Sequence, residues 1–154
     1  MLKNILNLGD AALYCDFGNE INKETHSHVI NYFKNVQKLK IEKNKITQSF
    51  LNKEYFCYMT GFVAGMPFLG DIDSSIRLQR LETPRVKVPK GSVGITEQFC
   101  NIYTFESPGG WNIIGNTPIK VFDKSNENIP VIINPGDRVT FYRINKEEYL
   151  KFNE

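Results

Sequence analysis

The chain has 154 residues, of which 41% are hydrophobic and 23% are charged, a composition that fits one ordinary globular domain with at most a small appendage. Its 19 basic and 17 acidic side chains leave a net charge of only +2, which argues against a nucleic-acid or membrane surface. Cys15, Cys57 and Cys100 form no C-x-x-C pair, and we find no membrane span or signal peptide. We therefore expect a cytoplasmic protein without a disulfide framework or a zinc site.

The N-terminal part predicts one strand and one helix. Residues 11–18 are typical of a short strand that ends at glycine, and residues 22–39 carry apolar side chains at helical spacing. The lysine-rich stretch 41–52 then runs into a short helix at about 46–51. We place a domain boundary here, which divides the chain into residues 1–45 and 46–154.

Short strands separated by glycine and proline turns are predicted for the rest of the chain. Residues 55–62 form a nearly unbroken apolar run that is typical of a buried strand. Further strands are predicted at 86–88, 92–95, 101–105, 111–115, 120–122, 131–132 and 138–142. Asn145 and Glu148 form a capping box that starts a terminal helix. Many short strands of this kind indicate a barrel or a sandwich.

The sequence offers no familiar catalytic motif. His26 and His28 are the only histidines, and on a helix they would point about 200° apart, so they do not converge on one metal ion. Ser92 and Ser107 lie among glycines and prolines, but neither occupies a G-x-S-x-G elbow. No phosphate loop or dinucleotide fingerprint is present. Binding of ATP by this chain itself is therefore not indicated.

A few polar and aromatic side chains remain as candidates for a binding site. Arg85 could hold a ligand carboxylate, and Glu106 is a second candidate for a polar site residue. The alternative is that each belongs to an ion pair that braces a loop, and we leave both possibilities open. Three aspartates are candidates for the site or for turn caps: Asp71, Asp73 and Asp137. Three aromatic residues near the glycines could belong to the core or could line an apolar groove: Phe62, Phe68 and Trp111.

Three ordered motifs resemble the KipI/PxpB family. They cover residues 61–70, 83–95 and 106–118, and Pro135-Gly136-Asp137 before the last strand also resembles the family pattern. Members of that family include the B subunit of bacterial 5-oxoprolinase, a sporulation-kinase inhibitor, and the C and D subdomains of the carboxyltransferase part of urea amidolyase. The same family was formerly called allophanate hydrolase subunit 1.

The resemblance implies a mainly β fold with an α+β appendage. Residues 46–154 would form a cyclophilin-like β-barrel, and residues 1–45 would be a truncated form of the small α+β domain, because much of that domain is missing between Leu39 and Ile46. Within the matching motifs, Ala64 stands where the family usually has proline, Met66 replaces an aromatic residue and Phe68 replaces tyrosine.

The resemblance also implies a function that this chain would not perform alone. The B subunit of 5-oxoprolinase acts with the A and C subunits to open 5-oxoproline to L-glutamate with hydrolysis of ATP. The complex therefore uses ATP, whereas this chain need bind no cofactor or metal. The alternatives are a regulatory module that binds a histidine kinase, or a degraded remnant of the family. The strand and helix predicted in residues 1–45 would leave a strand edge and the apolar face of the helix without partners, which would favour self-association.

The residues expected to contact a substrate or a partner subunit come from the three motifs, while the identity of any catalytic residue stays open. They are Gly61, Phe62, Gly65, Pro67, Phe68, Arg85, Pro89, Gly91, Ser92, Gly94, Glu106, Pro108, Gly109, Gly110, Trp111 and Thr117.

Overall fold

A seven-stranded sheet organises the protein in a computed structural model that describes residues 10–13, 28 and 42–152. The strands are β1 (Asp10–Leu13), β2 (Glu54–Thr60), β3 (Pro67–Gly70), β4 (Arg85–Val88), β5 (Ser92–Thr96), β6 (Phe99–Ile102), β7 (Ser107–Gly109), β8 (Asn112–Asn116) and β9 (Arg138–Arg143). The helices are α1 (Lys43–Leu51) and α2 (Lys146–Lys151), with a 3-10 turn at Ser74–Ile76.

The large sheet has the order β1-β9-β2-β3-β6-β5-β8, and β4 pairs with β7 in a separate two-stranded sheet. Strand β1 runs parallel to β9, and the other pairings are antiparallel. The described part of the chain is therefore mainly β, with a curled sheet and few helices, as the sequence predicts.

One face of the central strands forms the main core. Cys57, Leu69, Cys100 and Ile95 are cross-strand neighbours on β2, β3, β6 and β5, and all four are fully buried. Helix α1 adds Phe50, which is also buried in this core. Because successive side chains of a strand point to opposite faces, the next residue on each strand must lie on the other side of the sheet.

The opposite face carries a second, smaller cluster. Met66, Val88, Tyr103 and Ile113 are buried there, and Phe68 packs against them. Val88 comes from β4, so the two-stranded β4–β7 sheet is joined to this face through the cluster. The large sheet is thus buried on one face and partly covered on the other.

Several predicted elements are confirmed. Helix α1 contains the predicted helix at 46–51, and β4, β5, β8 and β9 overlap the strands predicted at 86–88, 92–95, 111–115 and 138–142. The terminal helix begins with the predicted capping box, in which Asn145 Oδ1 accepts from the Glu148 amide at 2.9 Å.

The predicted buried strand at 55–62 is wrong in two respects. Strand β2 ends at Thr60, and its burial alternates: Tyr55 and Cys57 are buried, whereas Phe56 and Tyr58 are exposed. The physical reason is that only one face of β2 packs on the core. The exposed aromatic rings contact one another instead, with a centroid distance of 5.0 Å between Phe56 and Tyr58.

Other predicted strands differ from the structure. The strand predicted at 101–105 is β6 at Phe99–Ile102, and residues 120–122 and 131–132 form no strand but only an isolated bridge between Phe122 and Val131. Strands β3 and β7 were missed because both contain proline and glycine, which are typical of loops. Pro67 is the first residue of β3 and β7 belongs to the small sheet, positions where strands tolerate proline.

The predicted N-terminal elements are described only in part. Strand β1 confirms the start of the strand predicted at 11–18, whereas residues 14–18 and nearly all of the helix predicted at 22–39 lie outside the described residues. The division of the chain at residue 45 stays a prediction.

Two glycines with positive φ provide a test of the turns that precede β5 and β9. Gly91 has a φ of +81°, and a Cβ atom there would lie 2.5 Å from the Thr117 carbonyl oxygen. Gly136 has a φ of +97°, but a Cβ atom there would meet nothing within 4 Å. We expect Gly136→Ala to lower the free energy of unfolding by about 1–2 kcal/mol through backbone strain alone. Gly91→Ala should cost about 3 kcal/mol or more, because the backbone clash adds to the strain.

Denaturant unfolding of both variants measures this difference. Equal losses of stability in Gly91→Ala and Gly136→Ala would contradict the close packing between Gly91 and the Thr117 carbonyl group.

Candidate functional site

A groove of about 290 Å³ lies over the face of the sheet that carries the smaller cluster. Its floor comes from the strands of the large sheet, and one side comes from the segment that joins β7 to β8. The lining residues are Phe62, Met66, Phe68, Arg80, Pro84, Asn101, Tyr103, Pro108, Gly109, Gly110 and Trp111.

The floor of the groove follows from strand pairing. Phe68 on β3 is the direct cross-strand neighbour of Asn101 on β6, and Asn101 is the neighbour of Gly94 on β5. Tyr103 lies two residues beyond Asn101, and its amide still donates to the Ser92 carbonyl group at 2.9 Å. It therefore projects to the same side of the sheet as Asn101.

Two glycines make room for these floor side chains. A Cβ atom at Gly94 would lie 2.8 Å from Asn101 Oδ1 and 3.1 Å from Trp111 Cβ. A Cβ atom at Gly109 would overlap the Tyr103 hydroxyl group. Glycine at these positions lets the Asn101, Tyr103 and Trp111 side chains come together, which no larger residue would allow without a shift.

The Trp111 wall of the groove is held by Arg85. The Trp111 ring meets the Phe68 ring edge-on, with centroids 5.6 Å apart, and Arg85 Nη1 donates to the Trp111 carbonyl oxygen at 2.8 Å. Arg85 is half-buried, and this burial lowers the pKa of its guanidinium group. Within residues 42–152 the Arg85 guanidinium group forms no ion pair. Its hydrogen bond goes to the Trp111 carbonyl oxygen instead.

The rim of the groove contains a strained backbone. Phe62 has a φ of +70° and is 73% exposed, although a bulky residue rarely adopts this conformation. The surrounding loop is closed by the Gly61 amide, which donates to the Met66 carbonyl oxygen at 3.0 Å. Strain of this kind persists only where neighbouring contacts enforce it, and it is frequent at binding sites.

The groove combines apolar walls with positive charge. Burial raises the pKa of the Tyr103 hydroxyl group, although contacts with Asn101 and the charges of Arg85 and Arg80 partly oppose this effect. The hydroxyl group is therefore protonated at neutral pH and can donate a hydrogen bond. Glu106 does not offset the positive charge in the groove, because it is bound to Lys87 at 3.1 Å and lies outside the lining.

Asn101 is the most unusual polar residue in the groove. It is only 2% exposed, and its Nδ2 atom lies 3.5 Å from Met66 Sδ, but within the described residues its Oδ1 atom has no hydrogen-bond partner. Buried polar atoms are almost always paired, so an unpaired acceptor requires an explanation.

The structure brings six of the predicted site residues into the groove lining. These are Phe62, Phe68, Pro108, Gly109, Gly110 and Trp111. Arg85 contacts the groove through the Trp111 carbonyl group, and Gly94 supports its floor. The other predicted residues lie outside the lining: Gly61, Gly65, Pro67, Pro89, Gly91, Ser92, Glu106 and Thr117. A role in binding stays a prediction for all of the predicted residues, inside and outside the lining.

The structure also shows which contacts the charged candidate residues make. Arg85 and Glu106 do not pair with each other, because Arg85 binds the Trp111 carbonyl group and Glu106 binds Lys87. Asp73 caps the 3-10 turn by accepting from the Ser75 amide at 2.8 Å, and Asp137 accepts from the Asn134 amide at 2.7 Å. Asp71 accepts from the Tyr58 hydroxyl group at 3.4 Å.

Sequence reasoning missed five lining residues, namely Met66, Arg80, Pro84, Asn101 and Tyr103. The spacing of Asn101 and Tyr103 offered a signal, since polar residues two apart in a strand share one face. The strand prediction at 101–105 started at Asn101 but did not assign that face to a site.

Neither described cysteine is poised for nucleophilic chemistry. Burial raises the pKa of the Cys57 thiol to about 11 and also raises that of Cys100 well above its ordinary value. Among residues 10–13, 28 and 42–152, no three His, Cys, Asp or Glu side chains are grouped as a metal site would require. The helices of the described segments include none that is long and apolar enough to cross a membrane.

Comparisons with known proteins agree with the motif resemblance. The family model for the carboxyltransferase domain, subdomain C and D, matches residues 33–132. The chain is 42% identical over 103 residues to the B subunit of 5-oxoprolinase from Bacillus subtilis, an alignment that covers 67% of this chain and 42% of the relative. It is 44% identical over 97 residues to the corresponding B subunit of Haemophilus influenzae, covering 63% of this chain and 45% of the relative.

A solved structure shows the same fold. The conserved uncharacterized protein PH0987 from Pyrococcus horikoshii superposes with a TM-score of 0.74 at 31% identity, over 96% of this chain and 64% of that protein. The alignments with the two curated relatives span less than half of each relative's length. Since the family model matches well over half of the chain, the protein belongs to the carboxyltransferase subdomain C and D family.

Proposed function

We propose that this chain is a non-autonomous component of a 5-oxoprolinase-type enzyme, in the role of its B subunit. The support comes from relatives named as that subunit, although each alignment spans less than half of the relative. Homologues of the A and C subunits would be its partners. Together they would open the lactam ring of 5-oxoproline to give L-glutamate, with ATP hydrolysed by the complex.

The observation that carries this proposal is the composition of the groove. Its described lining is apolar and aromatic, with donors from Arg80, Asn101 and Tyr103, and it includes no serine, cysteine, histidine or carboxylate side chain. Such a lining can bind and orient a small molecule, but it offers neither a nucleophile nor a general base. The groups that break the amide bond and use ATP would then come from the partner subunits.

We also propose the finer architecture that the resemblance implies. A cyclophilin-like barrel over residues 46–154 is supported by the curled seven-stranded sheet, which wraps a single main core. The shortened N-terminal domain at residues 1–45 and a cytoplasmic location belong to the same proposal. In this arrangement the open groove would face a partner subunit, with the exposed Phe62 ring at its rim.

Within this function, Arg85 would act as a positioning residue rather than as a ligand contact. Its bond to the Trp111 carbonyl group fixes the segment between β7 and β8, which forms one wall of the groove. The half-buried guanidinium makes this bond in a region of reduced polarity, where charged hydrogen bonds are stronger than in water.

The proposal predicts that activity requires the complete complex. We expect this chain to co-purify with homologues of the A and C subunits, and we expect glutamate release from 5-oxoproline only when all three proteins and ATP are present. Each protein omitted in turn serves as the control. The proposal fails if the chain does not associate with the C-type homologue and if the A-type and C-type homologues are equally active without it.

The positioning role of Arg85 predicts a local change at Trp111. Arg85→Met should shift the fluorescence of Trp111, the only tryptophan, to longer wavelength, because the freed segment lets water reach the ring. The same variant should lower the free energy of unfolding by about 1.5–3 kcal/mol, the range for a hydrogen bond to a charged group.

Arg138→Met is a matched control for Arg85→Met. Arg138 pairs with Glu54 at 2.9 Å on the exposed side of β9, so its loss should cost less than about 1 kcal/mol and leave the fluorescence unchanged. An unchanged emission spectrum in Arg85→Met would contradict the bracing of the Trp111 segment.

A further inference from the structure

The exposed ring of Phe62 is the feature from which we infer a protein contact. Phe62 is 73% exposed, whereas Tyr103 in the same groove lining is 2% exposed. Exposure alone is not unusual, because single apolar side chains are common on protein surfaces. What distinguishes Phe62 is the conformation of the backbone beneath its ring.

The backbone at Phe62 forms a strained turn. The Val63 amide donates to the Gly61 carbonyl oxygen at 2.9 Å, which closes a three-residue γ-turn with Phe62 at its centre. A positive φ at the central residue, +70° here, marks the rare and strained form of this turn. Glycine adopts a positive φ without a steric penalty, but phenylalanine does not. The folded chain therefore loses stability by having a phenylalanine at this position.

Contacts from other parts of the chain hold the turn in place. The Thr104 hydroxyl group donates to the Ala64 carbonyl oxygen at 2.7 Å, and Thr104 is only 2% exposed. Gly65 packs directly on the Phe122 ring, since a Cβ atom at Gly65 would lie 2.9 Å from Phe122 Cδ2. A loop that is fixed in this way loses little conformational entropy on binding, so the Phe62 ring is pre-organised for a contact.

Arg80 adds a positive charge to the same surface. It lines the groove together with Phe62, it is exposed, and it forms no ion pair within residues 42–152. Arg77 differs, because its Nε and Nη2 atoms both donate to the Ile72 carbonyl oxygen, at 3.1 and 3.0 Å. The described groove lining includes no carboxylate side chain. A partner that covers Arg80 must therefore supply an acceptor, and a carboxylate matches the planar guanidinium group best.

The position of Phe62 favours a protein surface over a small molecule as the occupant. A small molecule inside a groove of about 290 Å³ would leave most of a ring at the rim in water. A protein surface laid over the rim would cover the ring, and burial of apolar surface favours association. Aromatic residues and arginine are also the side chains that are enriched in protein interfaces.

We propose that Phe62 anchors a contact with a partner protein by inserting its ring into an apolar pocket of that protein, while Arg80 pairs with a carboxylate beside the pocket. Thr104 and Phe122 are positioning residues that keep the γ-turn in its binding conformation. The inference rests on the proposed function in that the C-type homologue is the partner to be tested. It adds which residues of this chain bind the partner and what the partner surface must offer.

Calorimetric titration of the full-length chain with the C-type homologue tests the anchor. Phe62→Ala should weaken binding by about 30-fold or more, as expected for a residue that carries much of the binding energy of an interface. Val86→Ala is the matched control, because Val86 is 88% exposed but lies outside the groove lining. This control should bind within about three-fold of the unmodified chain.

Phe62→Gly separates binding from folding. It should weaken binding as strongly as Phe62→Ala does. Its melting temperature should equal or exceed that of the unmodified chain, because glycine relieves the strain of the γ-turn. A lower melting temperature would show that the ring stabilises its own chain, and it would overturn the inference.

Further variants test Arg80 and Thr104. Arg80→Gln should weaken binding about five-fold or more and reduce its dependence on salt concentration, because an interfacial charge pair is lost. Arg138→Gln, which removes an exposed ion pair on β9, should change neither property. Thr104→Val should weaken binding because it removes the hydrogen bond to Ala64, whereas Thr104→Ser keeps the hydroxyl group and should restore the affinity.

The inference is overturned if Phe62→Ala binds the C-type homologue as tightly as the unmodified chain does, or if Val86→Ala loses as much affinity as Phe62→Ala. It is also overturned if light scattering shows that Phe62→Ala converts a homodimer of this chain into a monomer, since a second copy would then occupy the surface. Full binding by Phe62→Ala would leave the proposed function standing. Failure of the unmodified chain to bind the C-type homologue would overturn both.

Discussion

The alternation of side chains across β3, β6 and β5 is the constraint on which the rest of the structure depends. Each of these strands gives one side chain to the main core and the next to the opposite face, as Cys100 and Asn101 show on β6. Among the described residues, the second face is covered by the smaller cluster, to which β4 contributes Val88. The groove lies over this face, beside that cluster.

This arrangement explains the glycines of the region better than turn formation does. Gly94 lies in the middle of β5 without a positive φ, and its lack of a side chain is needed because Asn101 and Trp111 approach it closely. Gly109 at the end of β7 makes room for the Tyr103 ring in the same way, because a Cβ atom there would overlap it. Both positions give up the packing that a larger residue would provide. The same region contains the strained Phe62 backbone and the unpaired Asn101 acceptor, features that oppose stability and are typical of a binding site.

The mainly β fold could be predicted from the sequence because short apolar runs alternate with glycine and proline turns. Strands β5 and β8 were found in this way, and the capping box identified α2. Strand β3 was not found, because Pro67 and Gly70 at its ends are the residues that normally mark a loop. The exposure of Phe56 and Tyr58 was also missed, since an apolar run does not reveal that one face of a strand is left uncovered.

For the site, the sequence identified the glycine-rich walls but not the polar contacts. Trp111 and Gly109 stand in a conspicuous motif, whereas Asn101 and Arg80 are ordinary residues in ordinary surroundings. Both residues belong to the groove only because the fold places β6 and the segment before β4 beside the Trp111 wall. Contacts of this kind depend on strand register and on the placing of distant segments, which local sequence patterns do not encode.

The central claim is that the groove supplies binding contacts but no catalytic side chain, so that the chain acts only together with partner subunits. A structure of the chain in complex with the C-type homologue tests this claim most directly. The account predicts that the partner covers the groove beside Phe62 and brings a nucleophile or a general base to it. A partner bound at another surface, with the groove left open, would contradict the account.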